Sequence, residues 1–150
     1  MHEELFKKCL KILNISKESS NIRLEKVCAL LKKNIEHYHW VGFYFLDKKK
    51  KKLILGPFSG EDTDHKIIPV GRGICGQVAL SNTNFVVQDV SKQSNYLSCN
   101  INVKSEIVIP IFKNKENIGQ IDIDSNHLSP FTKKDEIFLE NLCVEISKIL

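Results

Sequence analysis

Ser105-Glu106-Ile107-Val108-Ile109-Pro110-Ile111-Phe112-Lys113-Asn114-Lys115-Glu116-Asn117-Ile118-Gly119-Gln120-Ile121-Asp122-Ile123-Asp124-Ser125 reads as two apolar strands folded back on each other. Residues 106–112 are almost wholly apolar, residues 114–117 carry the polar side chains of a turn, and residues 118–124 bring the chain back. An antiparallel pair here commits the protein to a largely antiparallel sheet. On the return strand the two-residue period puts Ile118, Gln120, Asp122 and Asp124 on one face and Ile121 and Ile123 on the other. The isoleucine face is expected to lie under helices. Two carboxylates on one face repel each other and cost stability unless a cation joins them. A ligand ammonium group would serve, and so would solvent or surface lysines; the spacing leaves both readings open.

Outward from this hairpin the other elements follow by their periods. Residues 40–46 alternate Val41, Phe43 and Phe45 against Gly42 and Tyr44, and the lysines at 48–52 turn the chain into a partner strand at 52–58. Short strands are expected at 65–70 and 84–88, with a glycine-rich turn and a short helix at 71–81 between them. Residues 89–104 lack a period and read as a long loop, a kind of segment that often carries function. Helical spacing marks 3–14 through Leu5, Cys9, Ile12 and Leu13, and 22–37 through Leu24, Val27, Cys28, Leu31 and Ile35. A last helix starts at Thr132, where Thr132-Lys133-Lys134-Asp135 resembles a capping box, and buries Phe138, Leu142, Ile146 and Ile149. The expectation is one α+β domain: a mostly antiparallel sheet flanked by N- and C-terminal helices, with residues 1–20 as helix and connection and 21–150 as the core.

Composition narrows the class. A chain of 150 residues with 42% hydrophobic side chains can bury one sizeable core. No apolar run reaches the ~18–20 residues of a membrane span, and Met1-His2-Glu3-Glu4 is acidic and unlike a signal peptide. A soluble, cytoplasmic protein is expected. The net charge of +4 comes from 20 lysines and only Arg23 and Arg72 as arginines. A nucleic-acid surface interleaves arginine and aromatic side chains with its basic residues. The lysine run is read as a solvated turn, and neither nucleic acid nor membrane is expected as a partner.

The five cysteines, an odd number, argue against a structural disulfide framework. No C-x-x-C or zinc-spaced Cys/His set occurs, so no metal is expected. Cys9, Cys28 and Cys143 fall on apolar helical stripes, where a free cysteine acts as a small hydrophobe. Cys75 and Cys99 do not. Cys75 follows Gly71-Arg72-Gly73 near a helix start, where backbone amides would favour a thiolate. The Gly71-x-Gly73-x-x-Gly76 spacing mimics a dinucleotide fingerprint but lacks the βαβ unit that would support it. Glu106 opens an apolar strand; partly buried, its carboxyl would suit proton donation near neutral pH, whereas at a wet strand end it would be ordinary. Trp40 is either a pocket wall or a core residue, and His65 either does something or is surface. A thiol pair beside acids suggests a nucleophile, a partner thiol and a polar pocket.

Taken together, Trp40-Val41-Gly42-Phe43-Tyr44, Leu55-Gly56-Pro57-Phe58, Gly71-Arg72-Gly73-Ile74-Cys75-Gly76, Ser105-Glu106-Ile107-Val108-Ile109-Pro110 and Asp122-Ile123-Asp124-Ser125 resemble the free methionine-R-sulfoxide reductases, which are single-domain GAF proteins. The resemblance covers roughly residues 20–150. It implies Cys99 as the catalytic cysteine, Cys75 as its partner, and Trp40, Tyr44, Glu106, Asp122 and Asp124 as substrate-pocket residues. It implies a sulfenic acid on Cys99 and then a Cys75–Cys99 disulfide reduced by thioredoxin or a similar dithiol. It further implies proton donation by Glu106, no organic cofactor, and a homodimer. Many members carry a third, recycling cysteine where this chain has His65, so the resemblance points to a two-cysteine variety. Two other readings stay open. A non-catalytic GAF sensor would bind a small molecule without consuming it, and a thiol redox switch would form the disulfide but ignore methionine sulfoxide.

Overall fold

The structure is a computed structural model that describes residues 2–94, 96 and 101–150. Its central hairpin is β5 (Ser105–Lys113) and β6 (Glu116–Ser125). Lys113 pairs with Glu116, so the connection is a two-residue turn with Asn114 and Lys115 both at positive φ (53° and 66°). That is the mirror-image turn whose twist suits a hairpin. The turn is tighter than the 114–117 segment read from the sequence.

Before the hairpin come helices α1 (His2–Leu13) and α2 (Ser20–Asn34) and strands β1 (Trp40–Asp47), β2 (Lys52–Ser59) and β3 (Ile67–Pro69). Helix α3 (Gly73–Ser81) and strand β4 (Phe85–Val87) follow, and α4 (Lys133–Ser147) closes the chain. The strands form one sheet in the order β3-β2-β1-β6-β5-β4, antiparallel throughout. α4 starts with the capping box expected at Thr132 and Asp135. Asp135 also accepts a hydrogen bond from the Tyr38 hydroxyl at 2.8 Å, tying the helix start to the entry of β1. Among the described residues, no helix is long and apolar enough to cross a membrane.

Both faces of the sheet are covered. On one, α2 and α4 pack over Val41, Phe43, Ile107, Ile109, Ile111, Ile121 and Ile123, and α1 packs on α2 and α4. Each such side chain contributes about 1.5–3 kcal/mol on burial. Cys9, Cys28 and Cys143 lie in this core, as their stripes indicate. On the other face, α3 and the segments around β3 and β4 cover Trp40, Tyr44, Leu53, Val87 and Val108. The loop read as structureless contains a single turn of tighter helix at Val90–Lys92, capped by the Asp89 carboxylate.

One side chain departs from the simple alternation. Ile111 pairs with Gly119 and Phe112 with Asn117, which leaves Ile118 as the extra residue of a β-bulge. Ile118 therefore packs against the helix-covered core rather than beside Gln120, Asp122 and Asp124.

Candidate functional site

The strand register assembles the site. Trp40 on β1 pairs with Asp124 on β6, Asp124 with Glu106 on β5, and Glu106 with Val87 on β4. One step along, Gly42, Asp122 and Val108 form the next row, and Tyr44, Gln120 and Pro110 the one after. Paired residues point to the same face, here the one away from α1, α2 and α4. Helix α3 lies over these rows. Its approach uses positive φ at Gly71 (92°) and Gly73 (65°), where a side chain would be strained. The Gln120 side-chain amide donates to the Cys75 carbonyl at 3.1 Å and holds the first turn of the helix on β6. The Cys75 thiol then donates to Glu106 Oε2 at 3.6 Å.

Burial settles the carboxylates. Asp122 and Asp124 are each 1% exposed and Glu106 and Cys75 each 5%. The solvated reading of the two aspartates falls, and among the described residues no lysine or arginine forms an ion pair with either. Among the described residues, Asp122 Oδ1 and both oxygens of Asp124 have no hydrogen-bond partner. Orphaned buried oxygens of this kind are costly and rare. Burial pushes the Asp124 carboxyl well above the usual range; Asp122 adds to the rise, and the Glu106 carboxyl offsets part of it. Burial also raises Asp122, against hydrogen bonding from Glu106 and Cys75.

Cys75 corrects an expectation. Its thiol titrates well above the ordinary cysteine value, first through burial and then through Asp122, Glu106 and Asp124. Three acids and a dry environment outweigh the helix start, so Cys75 rests as a thiol.

Trp40 is both core and wall. Its ring stacks on Phe58 with centroids 5.4 Å apart and on Tyr44 at 6.4 Å. The indole N–H donates to the Glu61 carbonyl at 2.9 Å, and the Tyr44 hydroxyl to the His65 carbonyl at 2.8 Å. Trp40 and Asp124 line a cavity of about 450 Å³ whose rim includes Lys32, His39, Glu61 and Asn126. A much smaller void of about 10 Å³ lies among Tyr44, His65, Cys75, Glu106 and Asp122. The ring crosses Gly42 so closely that a Cβ there would stand 2.3 Å from Trp40 Cη2 and 2.8 Å from Phe58 Cβ. Gly42→Ala should therefore destabilise, although alanine ordinarily improves on glycine in a strand. Overpacking of about 1–3 kcal/mol corresponds to a fall in Tm of roughly 2–12 °C. Thermal unfolding with the emission of the single tryptophan checks this; an unchanged Tm and spectrum would show that the ring does not depend on that glycine.

The rim residues were not legible in the sequence. His39 Nδ1 accepts a hydrogen bond from the Asn126 amide at 2.9 Å, which leaves Nε2 to carry the proton of the neutral ring. Burial, then His127 and Lys32, lower its pKa. The only available cue was adjacency, since His39 immediately precedes Trp40. Cys99 lies outside the described residues. On either side of its segment, Tyr96 packs on the site-face core and Val103 lines the cavity beside Asp124.

A family model described as GAF domain matches residues 18–150. The free methionine-R-sulfoxide reductase of Escherichia coli is 36% identical over 127 residues, which are 85% of this chain and 75% of that protein. The structure of the free methionine-R-sulfoxide reductase from Neisseria meningitidis in complex with its substrate matches with a TM-score of 0.91 at 32% identity, covering 99% of this chain and 87% of that one. For the type II free methionine-R-sulfoxide reductase from Thermoplasma acidophilum the TM-score is 0.83 at 37% identity, covering 87% of this chain and 91% of that one. By sequence and by fold, the chain belongs to the free methionine-R-sulfoxide reductases of the GAF-domain family.

Proposed function

We propose that this protein reduces free L-methionine-(R)-sulfoxide to L-methionine, with Cys99 as nucleophile and Cys75 as the thiol that resolves it. The observation that carries the reading is Asp124, buried with neither oxygen hydrogen-bonded among the described residues, at a cavity large enough for a small molecule. A free amino acid brings the missing cation. Its ammonium sits on Asp124 and Asp122, and a methionine within a peptide has no such group. The Trp40 ring packs against the S-methyl group, with Tyr44 stacked behind it.

The chemistry then follows from what the site holds. The Cys99 thiolate attacks the sulfoxide sulfur while Glu106 protonates the sulfoxide oxygen. The resulting hydroxyl passes to the Cys99 sulfur as the transient S–S bond and the original S–O bond break. Methionine leaves and Cys99 becomes a sulfenic acid. The Cys75 thiol condenses with it, releasing water and forming the disulfide. Thioredoxin or a similar dithiol returns both cysteines to thiols and is itself oxidised to a disulfide. Val103 lines the cavity, and Cys99 is four residues away, within about 14 Å of extended chain. His65 stands where many members of the family carry the recycling cysteine, and it contributes its carbonyl to Tyr44; in this reading Cys75 alone resolves Cys99.

The test is methionine formed from racemic free methionine sulfoxide with dithiothreitol as reductant. Conversion should stop at half, leaving the S epimer, and N-acetylmethionine sulfoxide should remain unreduced. Binding without any methionine formation would move the protein to the sensor reading.

A further inference from the structure

Cys75, Glu106 and Asp122 come from α3, β5 and β6, and their ligand atoms lie within 4.8 Å of one another, all buried. The Sγ of Cys75 is 3.6 Å from Glu106 Oε2. Metal bonds of ~2.3 Å to sulfur and ~2.0 Å to oxygen at a tetrahedral angle place those two atoms ~3.5 Å apart. That edge of a coordination sphere is already formed. Among the described residues Asp122 Oδ1 has no hydrogen-bond partner although the residue is 1% exposed, so the hydrogen bonds within the cluster leave one acceptor unfilled. These three residues also border the void of about 10 Å³, room for about one water-sized body.

We propose that Cys75, Glu106 and Asp122 form a binding site for a borderline divalent cation such as zinc, and that the ion inhibits the enzyme. One thiolate and two carboxylate oxygens favour zinc or cobalt over magnesium or calcium, which take all-oxygen shells. Binding exchanges the Cys75 S–H bond for a sulfur–metal bond, and the proton goes to solvent. No oxidant or reductant takes part. A dication also compensates the packed acids more fully than a single ammonium group does. Inhibition has two sources: the ion takes Asp122 from the substrate ammonium, and it caps the thiol that must condense with Cys99. The second source ceases once Cys75 is in a disulfide, so metal binding belongs to the reduced enzyme.

The inhibition rests on the substrate reading above, whereas the binding does not, and the experiment separates them. Cobalt(II) is titrated into the reduced, metal-free protein and the thiolate-to-cobalt charge-transfer band in the near ultraviolet is followed. The band should saturate at one cobalt per chain, persist in Cys99→Ser and vanish in the near-isosteric Cys75→Ser. Cobalt affinity should fall by about 100-fold or more in Asp122→Asn, beyond the usual range for outer-shell losses. Far-ultraviolet dichroism of each variant confirms that the fold is kept. A band that survives Cys75→Ser, or cobalt bound without any band, overturns the site. In the reductase assay, zinc should raise KM for methionine sulfoxide under dithiothreitol, and excess substrate should weaken cobalt binding. A metal that binds with the expected band but leaves turnover unchanged overturns the inhibition.

Discussion

A Cys99→Ser protein should form no measurable methionine from racemic methionine sulfoxide, its turnover lowered by about 10⁴-fold or more, the scale of losing an active-site nucleophile. The family resemblance implies Cys99 as the nucleophile, and the other four cysteines are poorly placed for that role. Cys9, Cys28 and Cys143 lie in the helix-side core, on the opposite face of the sheet from the acids, and burial pushes each thiol up. Cys75 faces the acids, but burial and three carboxyls keep it protonated. The thiolate is the attacking species, so none of these four is poised to attack. A serine hydroxyl is weak without an adjacent base and cannot carry the sulfenic acid or the disulfide that follow. Cys75→Ser should separate the two roles: turnover with dithiothreitol persists, and turnover with thioredoxin as sole reductant is lost. Substantial activity in Cys99→Ser under either reductant would put the nucleophile elsewhere.

Asp124→Asn should lower kcat/KM for free methionine sulfoxide by about 10²- to 4 × 10³-fold and at the same time stabilise the protein. Removing one partner of a buried ion pair costs about 3–5 kcal/mol, at about 1.4 kcal/mol per factor of ten. The stability change has the opposite sign. Burial raises the Asp124 carboxyl above its unfolded value, so the native state keeps that proton to higher pH than the unfolded chain does. The resulting stability is fully present below the ordinary aspartate range and is lost as pH rises through the raised value. Asparagine cannot ionise and escapes that loss. The variant should melt higher than wild type at neutral pH, by about 2–4 °C per kcal/mol for a chain of this size. The two should converge in acid below the ordinary aspartate range. Kinetics at neutral pH and thermal scans at both pH values test the pair of claims. A kcat/KM within about threefold of wild type, or a lower Tm at neutral pH, would remove Asp124 from the substrate subsite.

These two sites also show how far the sequence could be read. Every α-helix and strand was legible, because apolar period, turn residues and the Thr132–Asp135 cap are local properties, whereas the single helical turn at Val90–Lys92 was not. So was the grouping of Asp122 with Asp124 on one face. Bounds moved where tertiary contacts intervened: α2 ends at Asn34 rather than 37, and the central turn shortens to two residues. The bulge at Ile118 was not legible, since a period of two cannot reveal an inserted residue. The rim histidine His39 had no pattern of its own.

By itself, the sequence determined the order of the elements, the antiparallel hairpin, the five linked motifs of the family, and the sorting of Cys9, Cys28 and Cys143 into core stripes. Only the tertiary structure decided that the acidic face is dry, because burial there depends on α3 crossing from a distant part of the chain to cover it. Only the tertiary structure brought Cys75 against Glu106 and Asp122, across 31 residues in the first case, and turned the expected thiolate into a thiol. Charge state in a protein is set by solvation and by neighbours through space, and neither is written in a residue's place along the chain.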